Sequence, residues 1–499
     1  MAKKPNEKDN PQGVYETRVE TLGKLRDADI DPYPAASNRS HTVADALQGF
    51  EKLSKAKTAA TLTGRLMTFR QHGKISFANL RDGSGEMQIA FQSDTLGKGY
   101  EDLEQLDMGD FLEVTGTLFT TKKGERTLAV SAYRLLAKSL RPLPEKWHGL
   151  KDPEERYRKR YLDMLANPEV RQKLLTRSKL IKALRQFMDS KGFTELENPI
   201  LEISASGAAA QPFKTHIKAY DMDVYLRISI GELWQKRSLV GGFEKVYEIG
   251  RAFRNEGVDY AHNPDFTMLE YYWAYADYED NMKLHEELIP HIVKEATGKL
   301  KVEHDGETID FTAPYPRKTF RDAIKEGSGI DIGKQNNADK LRKVMRDKGY
   351  DAPDQETYRQ LLDGLFKDSF RKQQVQPIFI THYPEVLKPL AKKSPKVEGA
   401  TDSFQLVVAT YEISNSYTEL NDPVDQRTRF EEQTALAKAG DDEAMPIDAD
   451  FVEALEYGMP PATGTGIGID RFAALLTGSH SIREVTAYPL MKPRGSSDG

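Results

Sequence analysis

The sequence predicts an α+β protein of two units: a small N-terminal β-barrel, then a larger domain on a mixed or antiparallel sheet flanked by helices. Three observations predict it. Residues 58–140 hold short alternating runs separated by glycine turns, whereas 152–494 interleave helical and strand patterns irregularly. At 499 residues the chain has room for two or three domains and a large core. No internal repeat, P-loop or dinucleotide fingerprint is present, so a βαβ nucleotide-binding sheet is not expected.

The elements follow in order. Residues 1–13 are polar and read as a disordered tail. Within 14–57 a short helix over Val14–Ala28 carries Val19, Leu22 and Leu25 on one face and stops at Ile30-Asp31-Pro32-Tyr33-Pro34. The runs around Leu62, Phe77 and Ile89, with a hairpin turn at Asp82-Gly83-Ser84-Gly85, suit a five-stranded barrel such as an OB-fold. Residues 141–151, opening on Arg141-Pro142-Leu143-Pro144, read as a linker. Helices are predicted over Glu154–Leu165 and Glu169–Lys191, strands over Glu248–Glu256 and Asp265–Tyr275, then helices to about Gly298. The charged stretch Gly333–Gln374 reads as surface helices, Gln405–Ile413 as a buried strand, and 495–499 as a tail.

Composition excludes several classes. Without cysteine there is no disulfide framework, thiolate metal site or cysteine nucleophile. No apolar run approaches the roughly 18 residues of a membrane span. The start, Met1-Ala2-Lys3-Lys4, lacks the apolar core of a signal peptide, so a cytoplasmic protein is expected. A net charge of −6 argues against general coating of nucleic acid but permits a locally basic RNA-binding face.

Three constellations carry chemistry. In the first, alternation puts Gly250, Ala252, Arg254 and Glu256 on one strand face, which suits either an exposed ion-pair ladder or a ligand site. The run Gly466-Ile467-Gly468-Ile469-Asp470-Arg471 brings backbone close under a flat ligand and offers Arg471 as a planar fork for a phosphate. The second is Phe266, Met268, Glu270 and Tyr272 on one face of a strand; a carboxylate among apolar neighbours is costly unless a cation meets it. Glu232 is a second such carboxylate, or simply a helix-start residue. The third is Glu412 to Glu419: if Asn415-Ser416 is a two-residue turn, the two glutamates face each other about 4.5–5.5 Å apart at Cβ. Such a pair suits Mg²⁺ beside a nucleotide, and an ordinary solvated hairpin is the alternative.

Taken together, Phe253-Arg254-Asn255-Glu256 and Gly466–Arg471 resemble motifs 2 and 3 of the class II aminoacyl-tRNA synthetases. Nearly the whole chain is similar to the lysyl branch of that family. Gly192-Phe193 to Pro199, Gly207-Ala208, Arg227, Lys236-Arg237, Val240–Phe243, His262-Asn263-Pro264, Tyr275–Tyr278, Thr418–Asp422 and Gly440-Asp441-Asp442-Glu443 follow in the family's order. The resemblance implies a catalytic domain with motif 1 at about 185–200, motif 2 at about 244–272 and motif 3 at about 464–476. The family's Gly-Gly-Ala and Ala-Arg-Pro-Phe are altered here at Ser206 and Gln211, and Ile230-Gly231 reads as a substitution plus an insertion. Both changes flank the expected amino-acid pocket.

What the resemblance implies is an ATP-dependent, Mg²⁺-dependent ligase that joins L-lysine to its tRNA, acts as a homodimer through motif 1, and has neither membrane nor DNA partners. Its ATP contacts would be Arg254, Glu256, His262, Asn263, Phe266, Glu412, Ile413, Gly468 and Arg471, with Arg254, Glu256 and Arg471 catalytic. Lysine would meet Gly207, Glu232, Arg254, Glu270, Tyr272 and Asn421, and the metal Glu412 and Glu419. In the barrel, Phe77 lies on the face opposite Ser76, Ala78 and Leu80, free to stack on an anticodon base or to pack in a second layer, with Gln88 beside it for a base edge. The alternatives are an aspartyl- or asparaginyl-type enzyme of the same subclass and a catalytically silent RNA-binding relative.

Overall fold

The computed structural model describes residues 11–144, 150–204, 207, 210–438 and 447–494. The expectations for 1–10, Ser206, Ala208, 440–443 and 495–499, and for 145–149 of the linker, lie outside the described residues. The chain divides into two compact units, residues 1–149 and 150–499.

In the first unit a helix runs over Pro11–Asp27. It includes Pro11–Gly13 ahead of the predicted start at Val14. Strands β1 (Ala60–His72), β2 (Ile75–Arg81), β3 (Glu86–Gln92), β4 (Phe111–Thr120) and β5 (Arg126–Ala137) close into a barrel in the order β1-β2-β3-β5-β4. Period-two alternation sorts β2: Ser76, Ala78 and Leu80 are buried, while Ile75, Phe77 and Asn79 stand on the outer side. The β2–β3 turn is held by the Asp82 carboxylate, which accepts from the backbone N–H groups of Ser84 and Gly85 at 2.7 and 3.0 Å.

The second unit is built on an eight-stranded sheet. Its strands are β6 (Thr194–Glu195), β7 (Lys245–Phe253), β8 (Asp265–Ala274), β9 (Arg317–Thr319), β10 (Ile378–Thr381), β11 (Ser403–Val408), β12 (Tyr411–Thr418) and β13 (Ala462–Gly468). They lie in the order β9-β10-β11-β12-β13-β8-β7-β6. The outermost pair at each edge is parallel and every pair between is antiparallel, so the sheet is mixed. Helices α1 (Pro168–Ser190) and α3 (Tyr278–Thr297), the second introduced after the shorter α2 (Glu232–Val240), carry much of the apolar core. Tyr247, Leu269, Tyr271, Leu406 and Ile467 join that core, while their strand neighbours Glu270, Tyr272, Gln405 and Gly466 line a cavity on the other side.

Some elements differ from the pattern. The helix expected over Glu154–Leu165 is broken at Lys159 into Pro153–Arg158 and Arg160–Ala166. The strand expected to reach Glu256 ends at Phe253, leaving Arg254 and Glu256 on the loop beyond it. The helices of 333–374, Ala338–Asp347 and α4 (Tyr358–Ser369), pack with Phe320–Ser328 around a second core containing Phe320, Leu341, Leu361 and Phe366.

The largest difference concerns 405–419. Asn415 and Ser416 are not a turn; they sit within β12, paired with β11 on one side and β13 on the other. The turn is Ala409-Thr410, which interrupts the predicted buried strand and takes φ values of 47° and 68°. Their backbone N–H groups donate to the carbonyls of Val375 and Gln374 at 2.8 Å each, which compensates for a left-handed turn without glycine or asparagine. Glu412 and Glu419 therefore lie on one strand and its continuation, seven residues apart, and are not cross-strand neighbours.

Candidate active site

A cavity of about 520 Å³ lies over β13, β8, β12 and the loop after β7. Gly464, Gly466 and Gly468 form part of its floor. A side chain at Gly464 is impossible without rearrangement, since a Cβ would lie 2.3 Å from both Tyr272 Cε1 and Glu419 Oε1. Past Gly468 the strand turns into α5 (Ile469–Leu476), which puts Arg471 in its first turn. Asp470 locks this corner: it takes an ion pair from Arg177 of α1 at 2.6 Å and accepts from the backbone N–H of Thr267 on β8 at 3.0 Å.

One lobe collects cations and an aromatic ring. Arg254 is half-buried, its guanidinium 5.1 Å over the Phe266 ring, and its Nε donates to the Ile228 carbonyl at 3.2 Å. Among the described residues no carboxylate lies within ion-pair distance of it, and burial pulls its pKa down against the field of Glu256. Arg471 is similarly without a carboxylate; it contacts His262 Nε2 at 2.8 Å, and His262 Nδ1 lies 2.9 Å from Asp259. That pairing assigns the histidine proton to Nδ1 and makes Nε2 the acceptor. Glu256, Asn263, Ile413, Glu412 and Gly468 line the same cavity. Ile413 is an extra residue of β12, a bulge opposite the Leu406–Val407 step of β11, so Glu412 joins Asn415 and Tyr417 on the cavity side.

The other lobe is acidic. Glu232 opens α2 behind Gly231, which has φ 68° and whose Cβ would meet Asn198 at 2.9 Å. Gly231 thus supplies a left-handed residue that sets Glu232 at the cavity wall. Gly207 lines the wall beside it, and so do Glu270 and Tyr272. Glu232 accepts from the Tyr417 hydroxyl at 2.5 Å and from Lys236 Nζ at 2.8 Å.

Lys236 is fully buried and escaped the sequence reading, because a Glu–Lys pair four apart on a helix usually marks a solvated face. Its ammonium also lies 2.6 Å from Glu419 Oε2, in an ion contact whose geometry makes no hydrogen bond, and it stands over the rings of Tyr272 and Tyr417. Two carboxylates, Glu232 and Glu419, thus share one built-in ammonium, and Glu270 stands near Glu232 without it. Burial, then the charge of Glu232, pushes the Glu270 carboxyl up to about 8. Burial also raises Glu419, against Lys236. Glu270 Oε2 has no hydrogen-bond partner in the described residues.

Two predicted site residues lie apart from the cavity lining. Glu419 is buried against Lys236, 2.6 Å from its ammonium, whereas Glu412 lines the cavity. Among the described residues no group of three His, Cys, Asp or Glu side chains is placed to hold a metal ion. Asn421 is outside the cavity, accepting from Lys392 at 2.8 Å and donating to the Met459 carbonyl at 3.0 Å. In the separate barrel unit, Phe77 shares the outer face with its cross-strand neighbour Arg70, and Gln88 pairs in register with Asn79. The Gln88 carbonyl is taken by the Thr127 hydroxyl at 2.8 Å, which leaves its amide N–H groups outward-competent.

Comparison with known proteins gives consistent matches. Residues 152–492 match the family model described as tRNA synthetases class II (D, K and N), and residues 60–142 match an OB-fold nucleic acid binding domain. The chain is 47% identical over 484 residues to a lysine–tRNA ligase of Pelotomaculum thermopropionicum, covering 96% of this chain and 95% of that protein. It is 46% identical over 478 residues to the Moorella thermoacetica lysine–tRNA ligase, covering 96% and 97%. The Bacillus subtilis lysine–tRNA ligase is 44% identical over 485 residues, again covering 96% and 97%.

Proposed function

Because the chain belongs to the class II tRNA synthetase family, with lysine–tRNA ligases as near-full-length relatives, we propose that its cavity activates L-lysine with ATP and passes it to a lysine-accepting tRNA. The observation that carries this reading is the separation of charge in one cavity. Arg254 and Arg471, without carboxylate partners among the described residues, are ready for phosphates, while Glu270, beside the Lys236-paired Glu232 and Glu419, is ready for an ammonium. An aspartate or asparagine side chain would gain nothing from that acidic lobe.

The first step needs no protein base. The lysine carboxylate, ionised at neutral pH, attacks the α-phosphorus; the bond to pyrophosphate breaks and lysyl-adenylate forms. Arg254 supports the α-phosphate and its developing charge, and Arg471, oriented by His262, takes a distal phosphate. Phe266 offers a face to adenine, with Glu256 at its edge. Mg²⁺, when bound with ATP, would neutralise phosphate charge, and Glu412, which lines that lobe, would help hold it. In the second step the 3′-hydroxyl of the tRNA attacks the carbonyl carbon, AMP leaves, and the hydroxyl proton goes to its phosphate or to water. The barrel would read the anticodon through Phe77 and Gln88. The motif 1 resemblance supports a homodimer, and a role in translation supports a cytoplasmic location.

The test is charging of an unmodified lysine-accepting tRNA transcript with labelled lysine and ATP. The reading predicts acid-stable incorporation that depends on both. Folded protein that incorporates none, or that incorporates aspartate or asparagine instead, would contradict it.

A further inference from the structure

The cavity has a third charged lobe that the residues above do not use. Helix α4 turns Arg359, Asp363 and Lys367, spaced four apart, toward the cavity, and Arg371 follows just past its end. Lys388 enters from the segment after β10, between Leu387 and Pro389. It is only 8% exposed, donates to Asn415 Oδ1 at 2.6 Å, and stands 4.8 Å over the Tyr383 ring. Lys367 is paired with Asp363. Among the described residues neither Lys388 nor Arg371 has a carboxylate within ion-pair distance.

Burial lowers the Lys388 pKa, with Glu412, Asp363 and Glu232 acting the other way. Arg371, Asp363 and Glu412 also act on Tyr383, so these groups surround one spot. An ammonium so deeply buried is costly without an anion, and the protein supplies only an amide oxygen. Its place is distinct from that of Arg254. Asn415, which Lys388 contacts, is in register with Gly466 of β13, and Gly466 with Glu270 of β8. Lys388 therefore approaches the glycine strand from the β12 flank, whereas Arg254 comes from beyond β7 on the opposite flank.

We propose that Lys388, Arg371 and Lys367 form a second phosphate-binding site in this cavity, separate from Arg254 and Arg471. The proposal rests on the function proposed above, which brings phosphate to the cavity from two sources. One is the pyrophosphate leaving group; the other is the terminal phosphodiester of the tRNA 3′ end, which must reach the same cavity to attack the adenylate.

The test uses the full-length protein with Lys388→Met and Arg371→Gln, singly and together, and with Lys388→Arg as the charge-keeping control. Folding is checked by thermal melting. The readouts are the KM for pyrophosphate in lysine-dependent ATP–pyrophosphate exchange and the KM for tRNA in charging. The site predicts a rise of about tenfold or more in at least one of them for the double variant, a small change in the KM for lysine, and recovery in Lys388→Arg. A rise for pyrophosphate assigns that source; a rise for tRNA alone assigns the tRNA end. If both KM values hold, or if the KM for lysine rises equally, the site is overturned. Should Lys388→Met not fold, the half-buried Arg371 carries the test through Arg371→Gln. If the wild-type protein neither exchanges nor charges, the functional reading fails instead. Calorimetric titration with inorganic pyrophosphate, wild type against Arg371→Gln, then still decides the site: weaker binding by the variant supports it, equal binding overturns it.

Discussion

On the proposed function, the carboxylate of Glu270, buried at the cavity wall, is the group that selects an ammonium side chain. The residue, itself buried, sits in the cross-strand row Glu270–Gly466–Asn415 with one oxygen unpartnered among the described residues, and its carboxyl is raised to about 8. The sign of the linkage follows. A carboxyl raised from the usual range near 4.5 favours the empty fold below that range, and the benefit is lost as pH rises through about 8. An entering ammonium favours the ionised form, so it expels the proton. Lysine binding near pH 7 is therefore predicted to release about one proton, and its affinity to rise about tenfold per pH unit up to pH 8. Calorimetry in buffers of different ionisation heat checks this; a binding heat independent of buffer would contradict it. Glu270→Gln removes the charge but keeps the shape. It should raise the KM for lysine about 10- to 100-fold, change the KM for ATP far less, and abolish the proton release. Equal effects on both substrates would remove Glu270 from the lysine lobe.

At the scale of elements, strand alternation was the most readable signal. It placed Phe266, Met268, Glu270 and Tyr272 on one face, and all four line the cavity. The Ala409-Thr410 turn was not readable, because neither residue favours positive φ and the bonds that hold it come from Gln374 and Val375, more than thirty residues upstream. The bulge at Ile413 is marked by no glycine or proline in β12, and it reverses which residues of that strand face the cavity. Lys236 and Lys388 were missed for a related reason: lysine is almost always solvated, and only the folded neighbourhood shows otherwise. The glycine strand makes its own prediction. Gly464→Ala forces a methyl into Tyr272 and Glu419, so it should cost about 1–3 kcal/mol of stability and weaken lysine more than ATP. Thermal melting with and without each substrate checks it, and an unchanged melt would show that the floor is slack.

At the scale of the molecule, two units divide the labour. On the proposed function the barrel takes no part in adenylate formation, so Phe77→Ala should leave lysine-dependent exchange intact while raising the KM for tRNA about 5- to 150-fold, the equivalent of about 1–3 kcal/mol of stacking. A fall in exchange equal to the fall in charging would dissolve that division. The central claim concerns the catalytic unit alone: a cavity with cations at one end and, at the other, Glu270 beside two carboxylates that share a single ammonium, adenylates lysine. The most direct measurement is ATP–pyrophosphate exchange without tRNA, supplied with Mg²⁺ and each of the twenty amino acids in turn. Exchange with lysine and no comparable exchange with aspartate or asparagine is the predicted result. Exchange with either of those two, or none with any amino acid in folded protein, would contradict the account.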